Sequence, residues 1–521
     1  MIWARQVRAG WAAPAVAALA AVVVTVSGWR GVDLAAHIYA VDLFRRNGFA
    51  LWDGQWFGGH WTLGYTVLYS PVAATLGLHL TAVASAVAAA WAFDRLVVEH
   101  FGTRARAGAL AFALGTLAQV AIGQLPYLLG EALGLAALLA ASRRRWALAA
   151  GLTVLAALSS PLAGGFVALA AAAWLLSAWP RHRGGLSLVL GAALVPVLVL
   201  QVLFPQGVMP YTGVDFAIEV VVFAALAALI PHEERALRIG AILYVGAIVA
   251  SFVMPTAMGG NVLRLGGCAA LPLAICIRSG RLRRQLATLL LLPILVITWA
   301  PVWASATTGR TASSAQPGYY APVLGYLRHH RTPVGRVEVV PTALHWETVF
   351  VAPTVPLARG WERQLDLTDN PIFYRQGPLS ASAYLAWLRD NGVRYVALSD
   401  AALDYSGRAE SRLLARPRPG LPLVWHDAHW RLFQVQGSSG IVAGPAQLVR
   451  ITRDEVDLRA LRGGSIAVHV RPANRWVVSS GRACLRSSNG ATVVQARAPG
   501  TIVLRIRALP PTDAQSDAGG C

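Results

Sequence analysis

The sequence contains no lysine, so all 45 of its basic side chains are arginines. Acidic residues are also scarce, with 25 Asp and Glu among 521 residues, and charged residues make up only 13% of the chain. This share is about half that of an ordinary soluble domain. Because 56% of the residues are hydrophobic, the composition excludes a chain that is soluble throughout. It predicts long segments embedded in a membrane.

Several chemical signatures are missing as well. The sequence has no Gly-rich nucleotide-binding loop and no Ser nucleophile elbow, so a cytosolic ATPase or hydrolase has no support. The four cysteines lack metal-binding spacing, and no metal site is predicted. Cys268 and Cys276 fall in an apolar stretch and are expected to be small buried side chains. Cys484 and Cys521 fall in polar sequence, and they either pair in an oxidising compartment or stay free.

The net charge of +20 makes nucleic acid a partner to consider. Much of the arginine excess, however, lies in short loops between apolar segments, where arginine fixes the orientation of membrane helices. We therefore expect membrane lipids as partners and no nucleic acid.

Eleven apolar segments of about the length needed to cross a bilayer precede residue 305. They are residues 11–29, 74–98, 107–122, 127–141, 146–159, 163–179, 186–204, 214–230, 237–254, 263–277 and 286–302. After the long first loop, loops with arginine alternate with loops that have none, as expected for a cytoplasmic N-terminus. An odd number of spans then places the C-terminal region outside. The two segments around 146–179 are also compatible with a broken pair at Ser159-Ser160-Pro161.

The pattern predicts a polytopic α-helical membrane domain at 1–305, with a long first outside loop at 30–73. Two outside domains follow. Residues 306–437 mix helix and strand signals, such as a strand at 335–340, a helix at 381–390 and a strand at 393–398, and suggest an α/β domain. Residues 438–510 contain short alternating runs typical of a small β-sandwich. Residues 511–521 read as a flexible tail.

The first outside loop contains the leading catalytic candidates. Asp33 directly follows the first apolar segment, and His37 lies one helical turn later on the same face. A carboxylate at a membrane boundary is either a general base facing a cavity or an N-cap of the following helix. Both interpretations stay open from the spacing alone.

The same loop is rich in aromatic residues. Sugars offer hydroxyls and C–H faces, so carboxylates beside aromatic rings are typical of carbohydrate sites. An aromatic belt at the membrane interface gives the same composition. The substrate-binding candidates in this loop are Trp52, Asp53, Trp56, His60 and Tyr65.

Three further polar residues lie at predicted outer membrane boundaries. Glu131 is the one acid of its span, and either faces a polar cavity or is held by a helix dipole. Arg264 is an arginine on the outer side, against the topological pattern. With Asn261 in Gly259-Gly260-Asn261 it either binds a phosphate or, alone, extends towards lipid headgroups.

The layout resembles the GT-C superfamily of membrane glycosyltransferases. Gly31-Val32-Asp33-Leu34-Ala35-Ala36-His37, together with Leu51–Gly54 and Gly64-Tyr65, resembles the first loop of uncharacterised actinobacterial members. A helix–strand unit around Tyr384–Val396 is also similar to one found outside such membrane domains. The family places an acidic residue just after the first helix, and Asp33 matches that position. Here it is a single Asp and not an adjacent acidic pair.

The resemblance implies a bacterial plasma-membrane enzyme that uses sugars linked to polyprenyl phosphates. The expected reaction is inverting transfer to a cell-envelope glycan or lipid on the outer face, with Asp33 as base and Arg264 and Asn261 on the phosphate. No cofactor is implied with certainty, and a divalent cation stays open. The alternative is a lipid or glycolipid transporter, or a scaffold for envelope assembly.

Overall fold

A computed structural model describes residues 10–28, 30–178, 182–277, 280–309, 311–330, 334–488 and 491–509. The chain divides into two compact units. The helical unit lies within Met1–Arg45 and Gly64–Thr311, and the C-terminal unit lies within Arg46–Leu63 and Ala312–Cys521. The predicted first outside loop, residues 30–73, is therefore divided between the two units.

Helices make up nearly all of the helical unit. In chain order they are α1 Ala12–Val26, α2 Leu34–Asn47, α3 Tyr69–Leu76, α4 Leu78–Phe101, α5 Arg106–Ile122, α6 Leu125–Ser142, α7 Trp146–Ser159, α8 Pro161–Ser177, α9 Arg183–Leu203, α10 Gly213–Leu229, α11 Arg235–Val253, α12 Leu263–Cys276 and α13 Arg281–Thr308. A helix is present at each of the eleven predicted apolar segments. Among the described residues, seven helices are long and apolar enough to cross a membrane. Several of these long apolar helices are consistent with membrane insertion, and eleven spans and their orientation stay predictions.

Small side chains let the central helices pack closely. The faces of α1, α4, α5 and α6 that are buried against one another are rich in alanine. In α6, a Cβ atom at Gly130 would lie 2.7 Å from the Cβ of Ala163, and one at Gly134 would lie 2.7 Å from a methyl of Val167. Both glycines therefore allow α6 to approach α8 more closely than a larger residue would permit.

The predicted break near Ser160 is present. Helix α7 ends at Ser159 and α8 begins at Pro161, while Ser160 between them is extended, with φ −153°. Proline suits the first position of a helix because that position needs no N–H donor. The Ser159 hydroxyl donates to the carbonyl of Pro126 at 3.0 Å, which fixes the break against the start of α6.

The C-terminal unit begins with a mixed α/β region. Its chain order is β1 Trp52–Asp53, β2 His60–Trp61, α14 Pro317–His329, β3 Arg336–Val339, α15 Glu347–Phe350, α16 Arg363–Asp369, α17 Ala381–Asp390, β4 Val393–Ser399, α18 Arg408–Leu414, β5 Leu423–His426 and β6 Trp430–Gln434. Strands β3 and β4 pair in parallel, and β6 and β5 continue the sheet antiparallel. The predicted helix at 381–390 and the strands on either side are confirmed.

Two antiparallel four-stranded sheets complete this unit. Their strands are β7 Val442–Ala443, β8 Ala446–Ile451, β9 Glu455–Ala460, β10 Gly464–Val468, β11 Trp476–Ser480, β12 Ala483–Ser488, β13 Ala491–Ala496 and β14 Gly500–Ile506. One sheet has the order β12-β13-β10-β7 and the other β11-β14-β9-β8. Alternate residues of both sheets form one apolar core, and Trp52 from the distant first loop belongs to it.

The cysteines differ between the two units. Cys268 and Cys276 in α12 are free, and Cys276 is buried. Cys484 in β12 is disulfide-bonded. Cys521, whose pairing with Cys484 the sequence left open, lies outside the described residues, as do Arg5, Arg8, Arg181 and Arg278 of the predicted inside loops.

Candidate functional site

The backbone around Asp33 is docked against the end of α5. The Asp33 N–H donates to the carbonyl of Ile122 at 3.0 Å. A Cβ atom at Gly31 would lie 2.3 Å from the carbonyl oxygens of Ala121 and Ile122, so only glycine permits this approach. Asp33 immediately precedes α2, so its position is also that of an N-cap residue. The close docking fixes the position of the Asp33 backbone, from which the carboxylate projects.

Asp33 and Arg264 lie together. The Oδ2 atom of Asp33 is 3.9 Å from Nη2 of Arg264, although the two residues come from opposite ends of the helical unit's sequence. The Asp33 side chain is 24% exposed and that of Arg264 is 18% exposed, so both are open to a ligand. At 3.9 Å the pair is an electrostatic contact without a short hydrogen bond. An anion can therefore bind Arg264 without first breaking a tight bidentate pair.

Two tyrosines support Arg264. Its guanidinium carbon lies 5.7 Å from the ring centre of Tyr127 in α6, within the range of a cation–π contact. The Tyr244 hydroxyl in α11 donates to the carbonyl of Val262 at 2.8 Å and accepts from the N–H of Gly266 at 3.1 Å. Tyr244 thereby fixes the first turn of α12, from which Arg264 projects.

The neighbouring Gly259-Gly260-Asn261 segment serves a different purpose from the predicted one. A Cβ atom at Gly259 would lie 2.1 Å from the carbonyl oxygen of Met209, so this glycine permits close packing of two loops. The N–H of Gly260 donates to Pro210, and that of Asn261 to Met258. These amides are occupied by the protein itself. Of the predicted phosphate ligands, the partly exposed side chain of Arg264 can be reached by an anion, and Asn261 is half-buried.

His37 lies one turn along α2 from Asp33 and is only 3% exposed. Its ring stacks on Tyr65, with centroids 5.6 Å apart, and meets the edge of Tyr69 at 5.9 Å. Burial, and secondly the charge of Arg264, lower the pKa of His37 to about 3. His37 is therefore neutral at physiological pH. Its Nε2 atom has no hydrogen-bond partner among the described residues.

A second polar group approaches the same helix as Arg264. The Gln119 amide in α5 donates to Glu131 Oε2 and to Cys268 Sγ, both at 2.8 Å. Cys268 follows Arg264 by four residues and so lies on the same face of α12. The predicted candidate Glu131 is thus linked through Gln119 to the helix that carries Arg264. Gln119 was not among the sequence candidates, because its contact with Cys268 joins residues that lie far apart in the sequence.

The remaining first-loop candidates belong to the C-terminal unit. Trp52, Asp53, Trp56 and His60 are each less than 7% exposed. Strands β1 and β2 pair Asp53 with His60, and the Trp56 and His60 rings stack with centroids 5.6 Å apart. The Trp52 N–H donates to Asp454 Oδ1 at 3.1 Å. These side chains are therefore buried within this unit, whereas Tyr65 packs on His37 in the helical unit.

Three carboxyl groups of the C-terminal unit influence one another. Glu362, which directly precedes α16, is half-buried. Burial, and then the charges of Asp369 and Asp53, raise its pKa to about 8. Burial also raises the pKa of Asp369 to about 6, against the opposing charge of Arg471, which lies 3.0 Å away. Asp53, predicted as a sugar contact, is thus one of several acids that share a crowded region.

A buried charge cluster near this region was not predicted. Arg359 is 4% exposed and contacts Glu338 Oε1 at 2.6 Å and Glu410 Oε2 at 2.5 Å. The Tyr384 hydroxyl donates to the other oxygen of Glu410. These residues are spread over four separate segments, so no local sequence pattern marks them. Because they are buried, removal of one partner would leave an uncompensated charge inside the α/β region.

The comparisons with known proteins add no family. The chain matches no protein-family model and no curated protein. Among the described residues, no group of three or more His, Cys, Asp or Glu side chains is placed to hold a metal ion.

Proposed function

We propose that the protein is a membrane glycosyltransferase of the GT-C type, which transfers a sugar from a polyprenyl-phosphate donor to a cell-envelope glycan or lipid. Transfer takes place on the outer face of a bacterial plasma membrane, with the N-terminus in the cytoplasm. The single observation that carries the proposal is the contact between Asp33 and Arg264 at 3.9 Å. A general base and a phosphate-binding cation must reach the same substrate, and the 3.9 Å separation of these two side chains supports such a shared site.

Asp33 accepts the proton of the acceptor hydroxyl. The acceptor oxygen forms a bond to the anomeric carbon while the bond from that carbon to the phosphate oxygen breaks, so the configuration inverts. The electron pair of the broken bond leaves with the polyprenyl phosphate. Arg264 stabilises the negative charge that develops on this phosphate. Because Arg264 also contacts Asp33, the base and the leaving phosphate would both lie next to the Arg264 guanidinium.

His37 supports this arrangement as a neutral side chain. A pKa of about 3 means that it adds no second positive charge beside Arg264. Its buried ring, packed between Tyr65 and Tyr69, keeps the first turn of α2 in place. His37 therefore acts by orienting Asp33 or by contacting the substrate. Glu131 and Tyr65 stay candidates for sugar binding, whereas Trp52, Asp53, Trp56 and His60 are buried in the C-terminal unit and offer no exposed face to a sugar.

The proposal is tested by sugar transfer in proteoliposomes. Purified protein is given a panel of radiolabelled polyprenyl-phosphate sugars with an envelope extract as acceptor. We expect Asp33→Asn to lower transfer by about a hundredfold or more, as for loss of a general base. Asp42→Asn is the matched control, because Asp42 lies in α2, the helix that Asp33 precedes, with 48% of its side chain exposed. Retention of full activity in Asp33→Asn would remove the mechanism.

The alternative function is distinguished by the same preparation. A lipid or glycolipid transporter, or an envelope scaffold, gives no transfer from any donor even though the protein is folded. A transporter would instead move a labelled polyprenyl-phosphate sugar between the leaflets of the proteoliposome. Such movement without transfer would replace the enzyme proposal with the transporter.

A further inference from the structure

Arg336 is a charged side chain that is wholly buried. It is the first residue of β3 and is 0% exposed. Its Nη1 atom donates to the carbonyl of Asn391 at 2.9 Å and to the carbonyl of His469. Its Nε and Nη2 atoms have no hydrogen-bond partner in the part of the chain that the structure describes. Buried polar groups in native proteins are nearly always paired, so two orphaned donors on one guanidinium need a partner.

The two orphaned donors form one edge of the guanidinium. The N–H of Nε and one N–H of Nη2 point in the same direction, and this fork is the edge that grips an anion through two parallel hydrogen bonds. Within the described residues, no acidic oxygen is paired with Arg336 at salt-bridge distance, unlike Arg359 and Arg363 nearby in the sequence. A buried cation without a counter-charge is strongly unfavourable. The missing partner is therefore expected to be negative.

A second arginine raises the local positive charge. Arg471 donates from its N–H to Gly58 at 2.8 Å and from Nε to Phe57 at 3.0 Å. Burial, and then the charge of Arg471, lower the pKa of Arg336 to about 9. Asp369 neutralises Arg471 at 3.0 Å. Asp366 also offsets the charge of Arg471, whereas no carboxylate is paired with Arg336 among the described residues, so the uncompensated positive charge is that of Arg336.

A glycine turn packs beside the open fork. A Cβ atom at Gly58 would lie 3.9 Å from both Cζ and Nη2 of Arg336 and 3.7 Å from the backbone nitrogen of Arg471. Gly58 has φ +74°, a conformation that L side chains rarely adopt. The turn therefore places a residue without a side chain next to the unpaired Nε–Nη2 edge of the Arg336 guanidinium.

We propose that Arg336, with Arg471 beside it, holds a small monovalent anion of the chloride class inside the C-terminal unit. The complete burial of Arg336 limits the occupant to a small ion. The ion supplies the acceptor that Nε and Nη2 lack, and it neutralises the excess charge. It thereby ties β3 to the first-loop turn at 57–58 and to residues 469–471. The site is independent of the glycosyltransferase proposal.

The test is thermal unfolding of the purified full-length protein in detergent, at constant ionic strength, with sodium chloride replacing sodium gluconate. We expect the midpoint to rise by about 5 °C between 1 and 100 mM chloride, as for an ion that binds the folded state alone. Bromide and nitrate should act in the same way. Arg336→Met should abolish the dependence. Arg431→Met, an exposed arginine in β6, should leave it unchanged.

A direct measurement covers the case in which Arg336→Met does not fold. Equilibrium dialysis of the wild-type protein with radioactive chloride should find one ion bound per chain, displaced by bromide and not by gluconate. Equal midpoints in chloride and gluconate, with no bound ion, would overturn the proposal and indicate that buried water satisfies the fork. An unchanged chloride dependence in folded Arg336→Met would overturn it too.

Discussion

Glu362 gives the sharpest prediction about pH. It is half-buried beside Asp53 and Asp369, and its pKa is raised from 4.5 to about 8. The folded protein therefore keeps a proton on Glu362 that the unfolded chain has already released at neutral pH. Replacement by glutamine keeps the size of the side chain and removes the titration. Glu362→Gln thus isolates the contribution of this one carboxyl to the stability of the C-terminal unit.

The sign and size follow from the two pKa values. Because the folded state binds the proton more tightly, the free energy of unfolding falls as pH rises from 4.5 towards 8. Each pKa unit corresponds to about 1.4 kcal/mol, so the loss between pH 5 and pH 8 is about 3 kcal/mol. For a unit of this size that loss lowers the unfolding midpoint by roughly 8 °C. In Glu362→Gln this part of the pH dependence should disappear.

The assay is thermal unfolding of the full-length protein in detergent at pH 5 and at pH 8, with limited proteolysis to report on the C-terminal unit. Asp390→Asn is the control, since Asp390 is exposed at the end of α17. Titration of His345, whose pKa is also raised, contributes to both proteins and cancels in the difference. If wild type and Glu362→Gln lose stability equally from pH 5 to pH 8, the carboxyl cluster does not hold the proton and the reasoning fails.

Two substitutions test the packing that positions the candidate sites. Gly31→Ala places a Cβ atom 2.3 Å from two carbonyl oxygens of α5. It should displace Asp33 and lower transfer by about a hundredfold, as small misplacements of reacting groups do. Gly115→Ala in the same helix has open space and should be neutral; equal activity of the two folded variants would refute the docking argument. Trp52→Ala removes a 3% exposed ring from the core of the two antiparallel sheets and should destabilise the C-terminal unit by about 3–5 kcal/mol. A urea midpoint equal to that of wild type would show that this core does not depend on the first loop.

The apolar segments and strands β3 and β4 of the C-terminal unit could be predicted because their signals are local. A helix is present wherever a long apolar run was found, and Ala381–Asp390 and Val393–Ser399 follow the predicted order. The length of each helix is less well determined by the sequence than its presence. Helices α1, α7 and α8 fall below the length of a simple span, and so their role in crossing the membrane does not follow from their apolar composition alone.

The first outside loop shows that local sequence patterns do not indicate which residues will be buried or what they will contact. Its aromatic residues indicated a sugar path or an interfacial belt, but Trp52 packs in a core with Trp476 and Ile502, which are far away in the sequence. Composition does not distinguish an exposed aromatic ring from a buried one. The Asp454 carboxylate that accepts the Trp52 N–H likewise carries no signal of this partnership.

The glycines show why the candidate site was only partly predictable. A glycine indicates that something approaches the backbone closely, but it does not indicate what approaches. At Gly31 the neighbour is the end of α5, which places Asp33. At Gly259 the neighbour is the carbonyl of Met209, so this glycine permits a contact between two loops. The guanidinium of Arg264 contacts Asp33 directly, without a contribution from the backbone of this segment. The argument for phosphate therefore depends on the charge and exposure of Arg264, not on the backbone beside it.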